Sequence, residues 1–296
     1  MSAYRFCRTD DIALLVDALN HCWSPYFPDE PPVTPASFKR SIRDLQVWCS
    51  SCMVAFSGSD PIGVLIGAKR PSATLVYRIA VHPDHRRQGH ARHILTSLGS
   101  KLAILGPPRI VAEVPETLTP ACGLFAESGY VQEAVLTDYI LSWAETRSAV
   151  SDPSAPARVE GFVIPVTVDD LAANGLLGDA NSSTGVEVCW QRSVETLRAR
   201  KDEISGLAVA SDEQIEAYLL YVQRGGGEAE ILALRSLVED GAVRLADLLS
   251  RLRAGGMKTV RFPKVYPAEI AKGELETLGF SRAGDHLIYA TTARSQ

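Results

Sequence analysis

The stretch VHPDHRRQGHARH, from Val81 to His93, concentrates side chains that could do chemistry. Its four histidines are of a type that binds metals. Its Arg-Arg-Gln-Gly core instead offers guanidinium groups and a glycine, which suit a bound phosphate. A metal site would require three histidines to converge, and the loop would then fold over the anion site. We place His90 and His93 on the solvent-facing side of the following helix, and we predict a phosphate site and no metal.

The elements on either side of this stretch favour the phosphate interpretation. A predicted strand, Thr74 to Val81, runs into it, and apolar residues then recur at the spacing of a helix that faces the core: Ala91, Ile94, Leu95, Leu98 and Leu102. The first amides of a helix have no intrahelical acceptor, and the helix dipole adds partial positive charge there. Gly89 lacks the Cβ that would hold a phosphate away. These amides, with Arg86, Arg87 and Arg92, are the expected anion ligands.

The same residues resemble a known family. The run Arg86-Arg-Gln-Gly-His-Ala91 fits the [Q/R]-x-x-G-x-[G/A] signature of the GNAT acetyltransferase superfamily, and RIAVHPDHR and LFAESGY stand where that family has similar segments. The resemblance implies that the protein binds acetyl-CoA (coenzyme A). It implies that the pantetheine arm pairs with the strand edge formed by Ile79, Ala80 and Val81. It also implies that the pyrophosphate lies on the amides of the loop and helix: Arg86, Arg87, Gln88, Gly89, His90, Ala91 and Arg92.

Acyl transfer to an amine needs a neutral nucleophile, a donor to the thioester carbonyl and a proton for the leaving thiolate. The resemblance assigns the donor to a backbone N–H of the strand that ends at Val81. It assigns the acid to a tyrosine, but Phe125 stands at that position and Leu118 replaces a frequent asparagine. The nearby alternatives are Cys122, Ser128, Tyr130 and solvent.

Two further residues are candidate catalytic groups. Glu113 interrupts the apolar run IVAEV on the strand next to the cofactor strand, where it could act as the base or be an exposed strand-end charge. Tyr77 could line the acceptor cleft or fill the core.

The loop HCWSPYFPDEPPVTP combines Trp23, Tyr26 and Phe27 with Asp29 and Glu30, which would suit a cationic amine. Alternatively, it is a proline-stiffened surface loop.

The sequence pattern indicates two copies of one unit. Phe38 to Leu45 aligns with Trp190 to Leu197 at an offset of 152, and Phe125 aligns with Leu275 at an offset of 150. The linker SAVSDPSAPAR separates the copies, so we predict domains at 1–147 and 159–296 with a linker at 148–158. The fold class is α/β (α+β): two tandem GNAT-like domains, each with a mixed, mostly antiparallel sheet flanked by helices.

Local signals predict the elements of the first copy in order. They are a strand Tyr4 to Cys7, a helix from Asp11 to about Cys22 with Asp10 or Asp11 as N-cap, a helix from Thr34-Pro35, a hairpin through Ser59-Asp60-Pro61, the strand to Val81, the helix after Gly89, a strand Arg109 to Val114, a helix ending at Ser128-Gly129, and a strand Leu136 to Trp143.

The second copy lacks the features that would bind coenzyme A. Its loop is shorter, has lost the arginines, and has Glu239 and Asp240 where the anion site should be positive. The Gly225-Gly-Gly227 run lies between two predicted strands and is expected to be a hairpin turn. The layout is similar to that of mycothiol synthase, whose C-terminal copy is the active one, whereas here the intact loop is N-terminal.

Composition limits the remaining possibilities. The net charge of −5 gives no indication of a nucleic-acid or anionic-membrane partner, and we expect neither. The N-terminus does not have the pattern of a secretion signal and no apolar run is long enough to span a bilayer, so we expect a cytoplasmic protein. The Cys49-Ser-Ser-Cys52 motif has zinc-like spacing but lacks a second pair, and we interpret it as buried packing.

We therefore predict an acetyl-CoA-dependent N-acyltransferase that acetylates a primary amine of a small molecule, with the N-terminal copy active. One alternative is a non-catalytic acyl-CoA sensor or scaffold, which the Phe125 and Leu118 positions favour. Another is a protein-lysine acetyltransferase. Either a monomer or a homodimer is compatible, because the second copy could occupy the partner position of a dimer.

Overall fold

A computed structural model describes residues 2–143, 162–177, 188–239 and 241–293. These residues form two compact units. Unit 1 combines residues 1–134 with residues 287–296, and unit 2 comprises residues 135–286. Each unit therefore contains the last strand of the other sequence copy. The predicted linker 148–158 lies outside the described residues.

Unit 1 contains strands and helices in the order expected from the sequence. They are β1 (Ser2–Phe6), α1 (Ile12–Trp23), α2 (Pro35–Leu45), β2 (Met53–Ser57), β3 (Asp60–Lys69), β4 (Thr74–Val81), α3 (His90–Leu105), β5 (Arg109–Pro115), α4 (Thr119–Glu127) and the start of β6 (Val131–Ser142). The sheet order is β1-β2-β3-β4-β5, followed by a strand described below. From β1 to β5, neighbouring strands are antiparallel except β4 and β5, which are parallel.

Unit 2 repeats this plan. Its elements are the rest of β6, then β7 (Phe162–Val166), α5 (Val168–Ala173), α6 (Val194–Ala199), β8 (Ser205–Ala210), β9 (Ile215–Arg224), β10 (Glu228–Ser236), α7 (Gly241–Ala254), β11 (Thr259–Val265), α8 (Lys272–Thr277) and the start of β12 (Ser281–Thr292). Its sheet order is β6-β11-β10-β9-β8-β7, with β10 and β11 parallel. From Leu287 onward, β12 belongs to unit 1 and is the strand after β5. The predicted fold class is confirmed.

The cores follow from the apolar faces of the helices. In unit 1, one face of α3 packs on the sheet through Ile94, Leu95, Leu98 and Leu102. In unit 2, α7 packs in the same way through Leu245, Leu248, Leu249 and Leu252. Burial of each such side chain stabilises the fold by about 1.5–3 kcal/mol. In unit 1, the packed sheet and α3 therefore support the loop that joins β4 to α3.

Several local predictions are confirmed. Thr34 caps α2 in a capping box with Ser37, and Pro35 is the first helical residue. The Gly225–Gly227 turn joins β9 to β10. Asp11 stands at the N-cap position of α1 without capping it, because its carboxylate accepts from the Arg8 amide and the Arg5 guanidinium instead. None of the six cysteines, all within the described ranges, forms a disulfide bond, and Cys49 and Cys52 are buried as expected.

Candidate functional site

Strands β4 and β5 separate after a short paired stretch. Their register joins Thr74 to Ile110 and Leu75 to Val111. The register of β4 with β3 shifts between Val76 and Arg78, so Tyr77 is an extra residue that forms a β-bulge. A bulge bends its strand, and the pairing of β4 with β5 ends at Leu75, two residues before Tyr77. A gap therefore opens between the two strands beyond Leu75.

Backbone groups of β4 face this gap. The His82 amide donates to the Ile62 carbonyl of β3 at 2.9 Å. Because hydrogen-bonding direction alternates along an antiparallel strand, Ala80 also pairs toward β3, whereas the N–H and C=O of Ile79 and Val81 point to the gap. Ile79 and Val81 are thus the residues of β4 with backbone groups available to an extended ligand, and Ala80 is not.

One of these carbonyls already has a partner. The Tyr26 hydroxyl, from the segment between α1 and α2, donates to the Val81 carbonyl at 2.5 Å. The Arg86 guanidinium lies over the Tyr26 ring, 4.4 Å from its centroid. Burial raises the pKa of Tyr26, so the hydroxyl stays protonated as a donor. The contact demonstrates that the Val81 carbonyl is accessible from the gap.

The loop after β4 leads into α3 through unusual backbone. A short 3₁₀ turn, Pro83–His85, is followed by Arg87 at φ 62° and by Gly89 at φ 84°. The first hydrogen bond of the helix runs from the His93 amide to the Gly89 carbonyl at 3.0 Å. The amides of His90, Ala91 and Arg92 consequently have no intrahelical acceptor.

This loop fits the anionic group that the sequence predicts there. A Cβ built on Gly89 would meet no other atom within 4 Å, so the space above the amides is open. Arg86 and Arg87 are exposed beside it, whereas Arg92 forms an ion pair with Glu127 at 2.9 Å. Unpaired amides, an open cradle and two available guanidinium groups suit a pyrophosphate.

The two histidines in the first turn of α3 differ in their exposure to solvent. His90 is 6% exposed, so its predicted solvent-facing position is wrong. Its Nδ1 lies 2.6 Å from the Tyr4 hydroxyl on β1, and its Nε2 lies 3.3 Å from Gln88 Oε1. Burial, then the nearby His85 and His93, lower the pKa of His90. Helical spacing alone missed this contact because β1 covers the first turn of α3. His93 is exposed as predicted.

The structure offers no support for a metal at these residues. Within the described ranges, no group of three His, Cys, Asp or Glu side chains is placed to hold a metal ion.

A pocket of about 260 Å³ opens beside the β4 bulge. Its walls come from α1, the segment after it, α2, β3 and β4, and include Glu30, Val33, Phe38, Ile66, Tyr77 and Arg78. The Arg78 guanidinium lies 4.7 Å from the Trp23 ring centroid and 5.5 Å from that of Tyr77. Tyr77 therefore lies at a pocket wall and belongs to β4, the strand whose end faces the gap.

Glu113 occupies a different place. On β5, Ile110, Ala112 and Val114 point into the core shared with α3, and the half-buried Glu113 alternates to the other face. Glu113 lies two residues beyond Val111, the last residue of β5 that pairs with β4, and it is not among the residues that line the pocket. The structure thus places Tyr77, but not Glu113, at the pocket.

Phe125 is buried, with 2% of its surface exposed, and its side chain has no proton to donate. Its ring lies between Tyr130, at 5.2 Å, and Tyr289, at 5.9 Å. Tyr289 comes from the part of β12 that belongs to unit 1; burial, then the nearby Cys122, raise its pKa. Sequence reasoning missed Tyr289 because no local signal places the end of the chain in the N-terminal unit.

In unit 2 the two equivalent strands also separate, but a side chain occupies the space between them. Strands β10 and β11 pair from Glu228 to Glu230 on β10. Beyond this point the Arg192 guanidinium donates to the carbonyls of Leu232 on β10, at 3.4 Å, and Lys264 on β11, at 2.9 Å. Glu269 receives two further bonds of 2.6 Å each from Arg192. A buried side chain of the protein thus bridges the two strands. In the loop after β10, Glu239 is exposed, and Asp240 lies outside the described residues.

Comparison with known proteins agrees with this geometry. Residues 13–130 match the acetyltransferase (GNAT) family. A tandem GNAT protein from the clavulanic acid biosynthesis pathway is 16% identical, with 100% of each chain covered and a TM-score of 0.66. A GCN5-related N-acetyltransferase from Sphaerobacter thermophilus is 13% identical, with 99% of this chain and 96% of that chain covered and a TM-score of 0.65.

The match to the GNAT family lies within the N-terminal unit, and the chain has a tandem GNAT fold. None of the helices in the described ranges is long and apolar enough to cross a membrane.

Proposed function

We propose that the protein is an acetyl-CoA-dependent N-acetyltransferase that acts in unit 1 on the primary amine of a small molecule. The observation that carries this proposal is the open gap between β4 and β5, which continues into the unpaired amides at the start of α3. The equivalent gap in unit 2 is occupied by Arg192. This difference favours unit 1 as the active copy.

Each part of acetyl-CoA would meet a matching part of unit 1. Its pyrophosphate would lie on the amides of His90, Ala91 and Arg92, with Arg86 and Arg87 beside it. Its pantetheine amides would pair with the gap-facing backbone groups of Ile79 and Val81. Because Tyr26 holds the Val81 carbonyl, its hydroxyl would have to leave that position.

Bound acetyl-CoA would supply a thioester. The amine nitrogen would form a bond to the acetyl carbon, the C–S bond would break, the amine would lose a proton to a base or solvent, and the thiolate would take one up from solvent. A backbone N–H of β4 would polarise the carbonyl. Glu113 is our candidate base for an ammonium substrate, through water. Since a thiolate is a fairly good leaving group, it could leave without a tyrosine acid at the Phe125 position, with solvent supplying the proton.

The test is release of free thiol from acetyl-CoA in the presence of a panel of primary amines. We expect amine-dependent release, which Glu113→Gln lowers and the matched exposed variant Glu116→Gln leaves unchanged. Absence of turnover with every amine would contradict the proposal. If acetyl-CoA nevertheless bound, the result would support the second candidate, a non-catalytic acyl-CoA sensor, which the buried Phe125 favours.

A further inference from the structure

The pocket beside the β4 bulge is small and mostly apolar. Its volume is about 260 Å³. Leu19, Val33, Phe38 and Ile66 form apolar walls, and Arg78 contributes a cation. A compact acceptor with an apolar side group and an anionic group would match these walls.

The Arg78 guanidinium is held in place yet poorly paired. It lies near the rings of Trp23 and Tyr77, and its side chain is 22% exposed. Its hydrogen-bond acceptor among the described residues is Glu30 Oε2, at 3.4 Å, which is a long contact. A guanidinium has five N–H donors, so most of those on Arg78 remain available to a ligand.

Glu30 does not compete strongly for this cation. The same oxygen, Oε2, also accepts from Trp23 Nε1 at 3.0 Å, and the carboxylate is largely exposed. Exposed ion pairs of this kind are weak. The pocket therefore presents an arginine as well as the carboxylate from which the sequence predicted a cationic ligand.

We propose that the acceptor amine of this enzyme also carries a carboxylate, which Arg78 binds, and that the acceptor is an apolar α-amino acid or a close analogue. This inference rests on the proposed function. A carboxylate matches the planar fork of a guanidinium, and the two aromatic rings restrict the orientation of that fork. Arg78 directly precedes Ile79, whose backbone faces the cofactor gap. A bound carboxylate would thus hold an α-amine close to that gap.

The test compares acceptors that differ only in the carboxylate. We would measure kcat/KM by thiol release for L-phenylalanine and L-leucine and for their amides, phenylalaninamide and leucinamide. We expect the free acids to be preferred by about tenfold or more. Arg78→Gln should remove most of this preference and Arg78→Lys should retain part of it. Arg109→Gln, which removes a surface arginine bound to Glu133, is the matched control and should change nothing.

Equal kcat/KM for acids and amides would overturn the inference while leaving the proposed function intact. A stronger preference for O-phosphoethanolamine would overturn it in favour of a phosphate. If no acceptor of the panel reacts, saturation-transfer NMR with 3-phenylpropionate decides: binding that is lost in a folded Arg78→Gln protein supports the inference, and no binding to the wild type overturns it. Failure of acetyl-CoA itself to bind, by calorimetry, would instead refute the proposed function.

Discussion

Substituting Gly89 with alanine should weaken acetyl-CoA binding far more than it weakens the fold. Gly89 has φ 84°, a left-handed conformation that costs an alanine about 1–2 kcal/mol. The added Cβ meets no protein atom within 4 Å, so no clash enlarges this cost. The same methyl group stands in the space through which a phosphate would approach the amides of α3.

The effect on binding follows from the hydrogen bonds at risk. A hydrogen bond to a charged group contributes about 1.5–3 kcal/mol, so losing one such bond raises Kd roughly ten- to hundredfold. The assay is isothermal titration with acetyl-CoA, together with thermal unfolding of the free protein.

Gly129→Ala is the matched control. Gly129 has φ 82° at the end of α4, and a Cβ there also meets nothing within 4 Å. Both variants should lose similar stability, and only Gly89→Ala should lose affinity. Equal Kd values for Gly89→Ala and the wild type would refute the reasoning, because the phosphate would then not approach these amides.

Three further outcomes are expected. Arg192→Ala should lower the free energy of unfolding by about 3–5 kcal/mol in urea titrations, because it leaves Glu269 buried without its partner. The free energy of unfolding should fall as pH drops below about 6.5, because burial lowers the pKa of His90 and the unfolded chain then takes up a proton that the folded chain does not. Tyr26→Phe should lower the Kd for acetyl-CoA about two- to tenfold by calorimetry, because it frees the Val81 carbonyl.

Each of these has a contradicting result. A change below about 1 kcal/mol for Arg192→Ala would mean that the buried pair is not formed. The loss of stability at low pH should be smaller in His90→Asn than in the wild type, and the same pH dependence in both proteins would exclude His90 as its source. Weaker acetyl-CoA binding by Tyr26→Phe would mean that this hydroxyl helps to hold the ligand rather than blocking its site.

Local signals predicted most of unit 1. The strand Thr74–Val81 and the start of α2 at Pro35 have the predicted bounds, and Gly129 ends α4 in the left-handed conformation. These features depend on neighbouring residues, through strand alternation, capping and glycine geometry. The position of Gly89 at the start of α3 could be predicted from the sequence for the same reason.

Contacts between segments that are distant in the sequence could not be predicted from it. His90 is buried because Tyr4 reaches it from β1, and Tyr289 reaches Phe125 from the far end of the chain. In unit 2, the sequence indicated only that the basic loop had been lost; the bridge that Arg192 forms between two strands depends on tertiary packing. A periodic pattern reports which face of an element is apolar, but it does not identify the segment that covers that face.

The central claim is that unit 1 binds acetyl-CoA and unit 2 does not. The most direct measurement is the stoichiometry of acetyl-CoA binding by isothermal titration of the full chain. We expect one site per chain, lost in a variant with Gly89→Glu, where a carboxylate would repel the phosphates. Two sites, or one site that persists in Gly89→Glu, would contradict it.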